Sequence, residues 1–194
     1  GLPVNCAQIK IHNPNENGEG EIWIKSQTLM LGYYEDEEAT KEVVHDGWFN
    51  SGDIGYQDKD GYVYVTGRSK NVIVTQNGKN IYPEEIELLL AKIPEIQECM
   101  VYGKEVEGEK ELIISVKVIP NMEEIENLHG KDLSEEEIHK IIWNKIKEVN
   151  KSLTSYKAIK NLEIKHDEFA KTTTMKIKRY VELQKDKEKN ETKE

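Results

Sequence analysis

The stretch from Gly52 to Glu87, GDIGYQDKDGYVYVTGRSKNVIVTQNGKNIYPEEIE, contains the point at which the sequence pattern changes. Before Arg68, the alternating runs IGYQ and YVYVTG flank the turn DKDG, which predicts a β-hairpin from about Ile54 to Gly67. After Arg68, Pro83 stands at a first-turn position ahead of a helical apolar pattern. We therefore predict a domain boundary at Gly67/Arg68.

The residues before this boundary are typical of a β-rich domain. The run EIWIKS at Glu21–Ser26 alternates in the manner of a strand, after the turn-rich NPNENGEG. Residues 1–66 are predicted to be mostly strand and turn. Residues 1–67 would then form one β-rich unit.

Residues 68–183 have a mixed helical and strand pattern, so the predicted fold class is α+β. A helix after Pro83 would carry one apolar face: Ile86, Leu89, Leu90 and Ile93. ECMVYG and ELIISVKVI are predicted as neighbouring strands, NLEIKH as a last strand and KIKRYVEL as a short closing helix. Ser134 and Glu137 form a capping-box pattern for a long helix to about Leu153. The result is a mixed sheet with packed helices, and residues 184–194 form a charged tail.

Composition excludes several classes of function. The chain has 194 residues and a formal net charge of −10, which argues against a nucleic-acid backbone as partner. It contains no run of about 18 apolar residues, so no membrane span is predicted, and no signal peptide is recognisable. Cys6 and Cys99 lack redox or metal spacing and are predicted to be buried, reduced thiols, which favours a cytoplasmic protein. The histidines show no shared metal spacing, so no metal site is predicted.

Two polar residues stand where structure alone does not require them. Asp53, at the mouth of the hairpin, can accept two hydrogen bonds from a vicinal diol such as that of ribose; it can equally be a turn-forming aspartate. Lys176, in KTTTMKIKR, can present a cation to an anionic ligand, or it can lie on a solvated basic edge. Both alternatives stay open for both residues on spacing alone.

Four sequence blocks stand out, in this order: GEGEIWIKSQTLMLGYY (Gly18–Tyr34), DGWFNSGDIGYQDKDGYVYVTGR (Asp46–Arg68), GRSKNVIVTQNGKNIYPEEIE (Gly67–Glu87) and FAKTTTMKIKR (Phe169–Arg179). Together they resemble the adenylate-forming superfamily, which includes acyl-CoA synthetases and peptide-synthetase adenylation domains. The resemblance implies that residues 1–67 end the large domain's β-barrel and that residues 68–183 are the mobile small domain. It implies an AMP-forming ligase that uses ATP, Mg²⁺ and CoA.

The resemblance also implies roles for individual residues. Asp53 matches the aspartate that holds the ribose hydroxyls, and Arg68 the arginine that reaches ribose and phosphates. Lys176 matches the catalytic lysine that bridges carboxylate and α-phosphate. Lys70 matches the hinge of the small domain, and Gly78 the glycine beside the pantetheine tunnel.

The sequence differs from the usual pattern of the family at two positions. Met175 stands where the family usually has glycine, and Ala170 where it usually has proline. The pattern from Thr172 to Arg179 is similar to the long-chain fatty-acyl-CoA synthetase branch, in which a bulky apolar residue before the lysine is common. The sequence therefore favours a fatty-acid–CoA ligase.

The family's phosphate loop, adenine-binding segment and magnesium-binding glutamate are not found in this sequence. We therefore expect a C-terminal portion of such a ligase, inactive alone, binding no cofactor by itself and requiring a large N-terminal domain as partner. Two alternatives stay open: a ligase that loads an acyl carrier protein, and a non-catalytic interaction module.

Overall fold

A computed structural model describes residues 1–75, 78–105 and 112–191; for residues 186–191 it describes the backbone alone. It divides the chain into two compact units. The first contains Gly1–Val74 and Asn80–Glu85, and the second contains Thr75–Lys79 and Ile86–Glu194. Residues 68–74 thus group with the first unit, a few residues beyond the predicted boundary. The assignment of a mobile domain to residues 68–183 stays a prediction.

The first unit is built on a five-stranded sheet in which β1, β2, β4 and β3 follow one another and β5 pairs with β4. Its strands and its helix are β1 (Ala7–His12), β2 (Gly20–Ser26), α1 (Glu37–Val43), β3 (Val44–His45), β4 (Trp48–Gln57) and β5 (Val63–Arg68). A 3₁₀ turn, Ser69–Asn71, follows, and then the short antiparallel pair β6 (Ile73–Val74) and β7 (Asn80–Ile81). Ile22, Ile54, Ile73 and Ile81 are buried in this unit.

The predicted β4–β5 hairpin is confirmed, and it depends on one glycine. A Cβ added at Gly55 would lie 2.0 Å from the Tyr64 carbonyl oxygen, so no side chain fits there. The register shifts between Ile54 and Gly55, which is a β-bulge. Beyond the bulge, Asp53 lies opposite Arg68.

The second unit is built on a three-stranded sheet in the order β10-β9-β8. Its main elements are β8 (Ile96–Lys104), β9 (Ile113–Pro120), α3 (Met122–His129), α4 (Glu135–Ser152), β10 (Asn161–Ile164) and α5 (Arg179–Glu191), preceded by α2 (Pro83–Leu90), which spans both units. β9 pairs antiparallel with β8 and parallel with β10, with α3 and α4 in the crossover. The α+β fold with a mixed sheet is confirmed.

Packing explains why these helices form. The predicted capping box of α4 is present, and Ile138, Ile142 and Ile146 are buried at helical spacing. On the sheet, a core cluster joins Met100, Tyr102, Ile119 and Phe169, with Ile177 and Leu183 packed against it. Leu183 and Ile177 thus tie α5 and the segment before it to the sheet.

The structure differs from the sequence interpretation in several details. Helix α1 was not predicted, because it buries no residue and therefore has no apolar periodicity; its start is marked by Asp36, which caps the Ala39 amide. Helix α2 ends at Leu90, before Ile93. Helix α5 continues to Glu191, through most of the segment expected to be a tail. Cys6 is exposed and Cys99 is half-buried, so neither thiol is fully buried as expected; partial burial is the main cause that raises the pKa of Cys99 to about 12 and keeps it a protonated thiol.

Candidate functional site

Asp53 and Arg68, the two predicted nucleotide-binding residues, contact each other across β4 and β5. Arg68 Nε lies 2.9 Å from Asp53 Oδ1. Arg68 Nη1 also donates to the Ser51 carbonyl at 3.1 Å, and the Asp53 amide donates to Ser51 Oγ at 3.1 Å. Both charged side chains are partly exposed. The pair therefore offers a carboxylate and a guanidinium fork, oriented by the main chain, to a polar ligand.

Lys70, the predicted hinge residue, is exposed and lies in the 3₁₀ turn directly after Arg68. Its neighbours are held on both sides. Ser69 Oγ donates to the Gly52 carbonyl at 3.2 Å, and Asn71 Nδ2 donates to Glu84 Oε1 at 2.5 Å. Lys70 thus lies between two anchored residues while its own side chain is in solvent.

Gly78, the predicted tunnel residue, occupies the fourth position of the turn Thr75–Lys79. It has φ +72°, and a Cβ there would meet no atom of the described residues within 4 Å. The Gly78 amide donates to the Thr75 carbonyl at 2.9 Å, and the Lys79 amide donates to Thr75 Oγ1 at 3.1 Å. With respect to the described residues, the space beside Gly78 is open, so a slender ligand can lie close to the backbone there. Gln76 and Asn77 lie outside the described residues.

Lys176, the predicted catalytic residue, ends a turn, Thr172–Lys176, that has the same hydrogen-bond pattern as Thr75–Lys79. The Thr172 amide donates to the Lys176 carbonyl at 2.8 Å, and the Lys176 amide donates to Thr172 Oγ1 at 3.1 Å. Met175 occupies the fourth position with φ +61°, and it is 70% exposed. Lys176 is itself exposed. None of the carboxylates in the described part of the chain pairs with it.

The base of the Lys176 turn rests on a buried carboxylate, Glu182, which is 1% exposed. Glu182 Oε1 accepts the Ala170 amide at 3.0 Å and lies 3.1 Å from Lys185 Nζ; Oε2 lies 3.5 Å from Lys165 Nζ. Burial would raise the pKa of this carboxyl, but the Ala170 amide and then the two ammonium groups outweigh burial, so the pKa is lowered. Glu182 is therefore a buried anion that fixes where the turn begins.

The sequence interpretation identified the exposed charged residues and missed those that hold them. The structure brings Asp53 and Arg68 together; Gly78 and Lys176 lie in separate turns of the second unit. Glu182 was not predicted, although a glutamate on the face of α5 that also carries apolar residues could have indicated it. Within the described ranges, no three His, Cys, Asp or Glu side chains come together as a metal site. Every helix there is too short or too polar to cross a bilayer.

Sequence comparison gives matches over most of the chain. The family model described as AMP-binding enzyme C-terminal domain matches residues 70–187. A long-chain-fatty-acid–CoA ligase of Gallus gallus is 35% identical over 195 residues, 96% of this chain and 25% of that protein. A 2-succinylbenzoate–CoA ligase of Oceanobacillus iheyensis is 45% identical over 105 residues, 53% of this chain and 22% of that protein. The chain thus spans about a quarter of the length of these relatives.

Solved structures show the same fold. The o-succinylbenzoate CoA synthetase from Bacillus subtilis, in complex with its acyl-adenylate intermediate, matches with a TM-score of 0.74 and 26% identity, covering 93% of this chain and 34% of that one. The same enzyme in complex with ATP and magnesium matches with a TM-score of 0.72 and 27% identity, covering 93% and 34%.

Proposed function

Because this chain belongs to the AMP-binding enzyme C-terminal domain family, we propose that it is the C-terminal part of an AMP-forming acyl-CoA synthetase. Such a ligase joins a carboxylic acid to ATP, giving an acyl-adenylate and pyrophosphate. The thiol of CoA then takes the acyl group and releases AMP. Mg²⁺, when bound, would neutralise the phosphates; its ligands would come from the large domain.

The observation that carries the proposal is the Lys176 turn. An exposed ammonium stands on a hydrogen-bonded turn whose base is fixed by the buried Glu182. A cation held in advance where negative charge develops lowers the barrier to adenylate formation without reorganisation at the moment of reaction. Lys176 would bridge the carboxylate and the α-phosphate in this step.

The remaining predicted residues fit supporting roles. Asp53 would accept hydrogen bonds from the ribose hydroxyls, and Arg68 would reach the ribose and phosphates with the donors that its pairing leaves free. Gly78 would let the backbone approach the pantetheine arm of CoA, since the space beside it is open. Lys70 would be the pivot that presents first one turn and then the other to the active site.

We propose fatty acids as the acyl substrates and the cytoplasm as the location. The match to the long-chain-fatty-acid–CoA ligase covers nearly the whole chain, whereas the match to the 2-succinylbenzoate–CoA ligase covers about half of it. The location rests on the sequence grounds given above.

The test measures the two half-reactions separately in the ligase that carries this chain. ATP–pyrophosphate exchange reports adenylation, and thioester formation from preformed acyl-adenylate reports thiolation. We expect exchange with fatty acids and transfer to CoA, and no exchange by residues 1–194 alone. Transfer to an acyl carrier protein in place of CoA would establish that acceptor instead. Absence of both half-reactions would contradict the proposal and favour an interaction module.

Lys70→Pro tests the pivot. Proline fixes φ near −65°, so a rotation that changes φ at this position becomes inaccessible. We expect one half-reaction to stay near the wild-type rate while overall acyl-CoA synthesis collapses. Full overall turnover would move the pivot to a neighbouring residue. A thermal melt of this chain carrying the same change separates hinge arrest from local unfolding.

A further inference from the structure

A closed ring of hydrogen bonds joins Glu87, Val101 and Arg179. Arg179 Nη2 lies 2.5 Å from Glu87 Oε2, and Arg179 Nη1 donates to the Val101 carbonyl at 2.8 Å. The Val101 amide donates to Glu87 Oε1 at 2.6 Å, which closes the ring. Three elements, α2, β8 and the start of α5, meet in it.

The ring lies at the edge of the three-stranded sheet that β8 forms. Among the described strands, β8 pairs with β9 alone in the order β10-β9-β8, so main-chain groups on its other edge need other partners. At Val101 both of these groups are satisfied by the two charged side chains. Glu87 and Arg179 are 18% and 19% exposed, so their ion pair is largely withdrawn from water. Charge-assisted bonds of this kind are stronger and more directional than neutral ones.

The ring lies close in sequence to Lys176 and therefore constrains the turn that carries this lysine. Arg179 is three residues after Lys176, so the ring fixes the C-terminal end of the turn. The other end is fixed by Glu182, which accepts the Ala170 amide, and by the ion pair of Lys171 with Glu98. The Lys178 amide donates to the Ala170 carbonyl at 2.7 Å and joins the two ends. The backbone of Lys176 is thus held from both sides while its ammonium stays exposed.

We propose that Glu87 and Arg179 are positioning residues for Lys176, and this inference rests on the proposed function. Neither residue needs to touch substrate. They hold the turn against β8 so that the Lys176 ammonium reaches the reacting phosphate with little reorganisation, and small misplacements of such groups are costly in rate.

Two variants test the ring in the ligase that carries this chain. Glu87→Gln keeps an acceptor for the Val101 amide but removes the ion pair, and Arg179→Lys keeps the charge but loses the fork. We expect each to lower the kcat of adenylation roughly tenfold or more, with the KM for ATP near wild type and thiolation from preformed acyl-adenylate unchanged. Glu87→Asp, which keeps the charge, should restore part of the rate. Glu148→Gln, which removes the exposed pair with Lys151 in the same unit, should change neither half-reaction.

Hydrogen exchange in residues 1–194 gives a readout that does not depend on activity. We expect the amides of Thr172, Lys176 and Lys178 to exchange faster in Glu87→Gln and Arg179→Lys, with unchanged exchange in α4. Unchanged exchange in the turn, or equal loss of both half-reactions, would overturn the positioning role. A different outcome separates the two proposals. If the turn amides exchange faster in the variants of residues 1–194 but the wild-type ligase makes no adenylate, the anchoring of the turn stands and the proposed function is wrong.

Discussion

The turns Thr75–Lys79 and Thr172–Lys176 have the same hydrogen-bonded frame and place a lysine at the same position in it. In each, the threonine amide donates to the lysine carbonyl, and the lysine amide donates back to the threonine hydroxyl. They differ in the left-handed fourth residue, which is Gly78 in one and Met175 in the other. Both lysines are exposed, but Lys79 Nζ lies 4.5 Å from the centroid of the Tyr156 ring, and no such ring contact is found for Lys176 among the described residues.

Two further turns show what the frame itself requires. Asn15–Glu19 and Asp58–Tyr62 make the same main-chain bonds, with an Asn or Asp oxygen in place of the threonine hydroxyl. Both have glycine at the fourth position, with φ +78° at Gly18 and +85° at Gly61. This frame is a three-residue hairpin loop with a left-handed residue, for which glycine carries no steric cost. The backbone of Met175 is thus strained at a position where glycine would carry no strain, and this residue directly precedes the candidate catalytic lysine.

The largest expected difference between the two turns lies in their lysines. Lys176→Ala in the ligase should cost adenylation about 3 kcal/mol, roughly a hundredfold or more, because a cation at the developing charge is lost. Thiolation from preformed acyl-adenylate should be largely spared. Lys79→Ala is the matched control, and it should leave pyrophosphate exchange near wild type. If both lysines affect exchange equally, or if Lys176→Ala reduces both half-reactions alike, the assigned role is wrong.

The second expected difference concerns what holds the Lys176 turn. Glu182→Gln should lower the free energy of unfolding by roughly 2 kcal/mol at neutral pH, because charge-assisted bonds to Ala170 and two lysines are weakened. Denaturant titration of this chain measures the change, with the exposed Glu148→Gln as a control expected within about 0.5 kcal/mol of wild type.

The same variant predicts a pH dependence. The pKa of Glu182 is lower in the folded chain than in the unfolded one, so its stabilisation is present above the unfolded pKa and is lost as pH falls through the folded pKa. The free energy of unfolding should therefore fall less steeply with acidification in Glu182→Gln than in wild type. Parallel curves would show that Glu182 is not the titrating anchor.

A third difference should appear in thiolation. Gly78→Leu should slow thioester formation from preformed acyl-adenylate roughly tenfold, since a side chain in a filled path costs about 1–3 kcal/mol, and should spare adenylation. Gly18→Leu meets the same left-handed strain in the same frame, with open space around its Cβ. It should leave both half-reactions unchanged. Equal effects of the two substitutions would reduce the role of Gly78 to its backbone conformation.

The smallest expected effect is at the residue that distinguishes the turns. Met175→Gly should raise the free energy of unfolding by about 0.5 kcal/mol, because relief of left-handed strain slightly exceeds the added entropy of the unfolded chain. The exposed methionine side chain leaves no cavity behind. A loss of more than about 1 kcal/mol would mean that Met175 packs against something in the folded chain.

Much of the fold was predictable because its signals are local. The helix α4 followed from its capping box and from isoleucines at helical spacing, and the β4–β5 hairpin from alternation around DKDG. Helix α1 and the length of α5 were missed for the opposite reason, since neither needs a periodic apolar face. Asp53, Arg68, Gly78 and Lys176 were found through their motifs; whether they act as proposed stays a prediction.

The sequence by itself determined the family, the α+β class and the exposed charges, because each rests on short-range patterns of residue type. Only the tertiary structure decided that Asp53 pairs with Arg68, since that contact depends on a bulge at Gly55 that shifts the register. It alone decided that Glu87, Arg179 and Glu182 hold the Lys176 turn. Glu87 and Arg179 are 92 positions apart, and ion pairs over such separations leave no local pattern, because their partners are determined by the packing of whole elements.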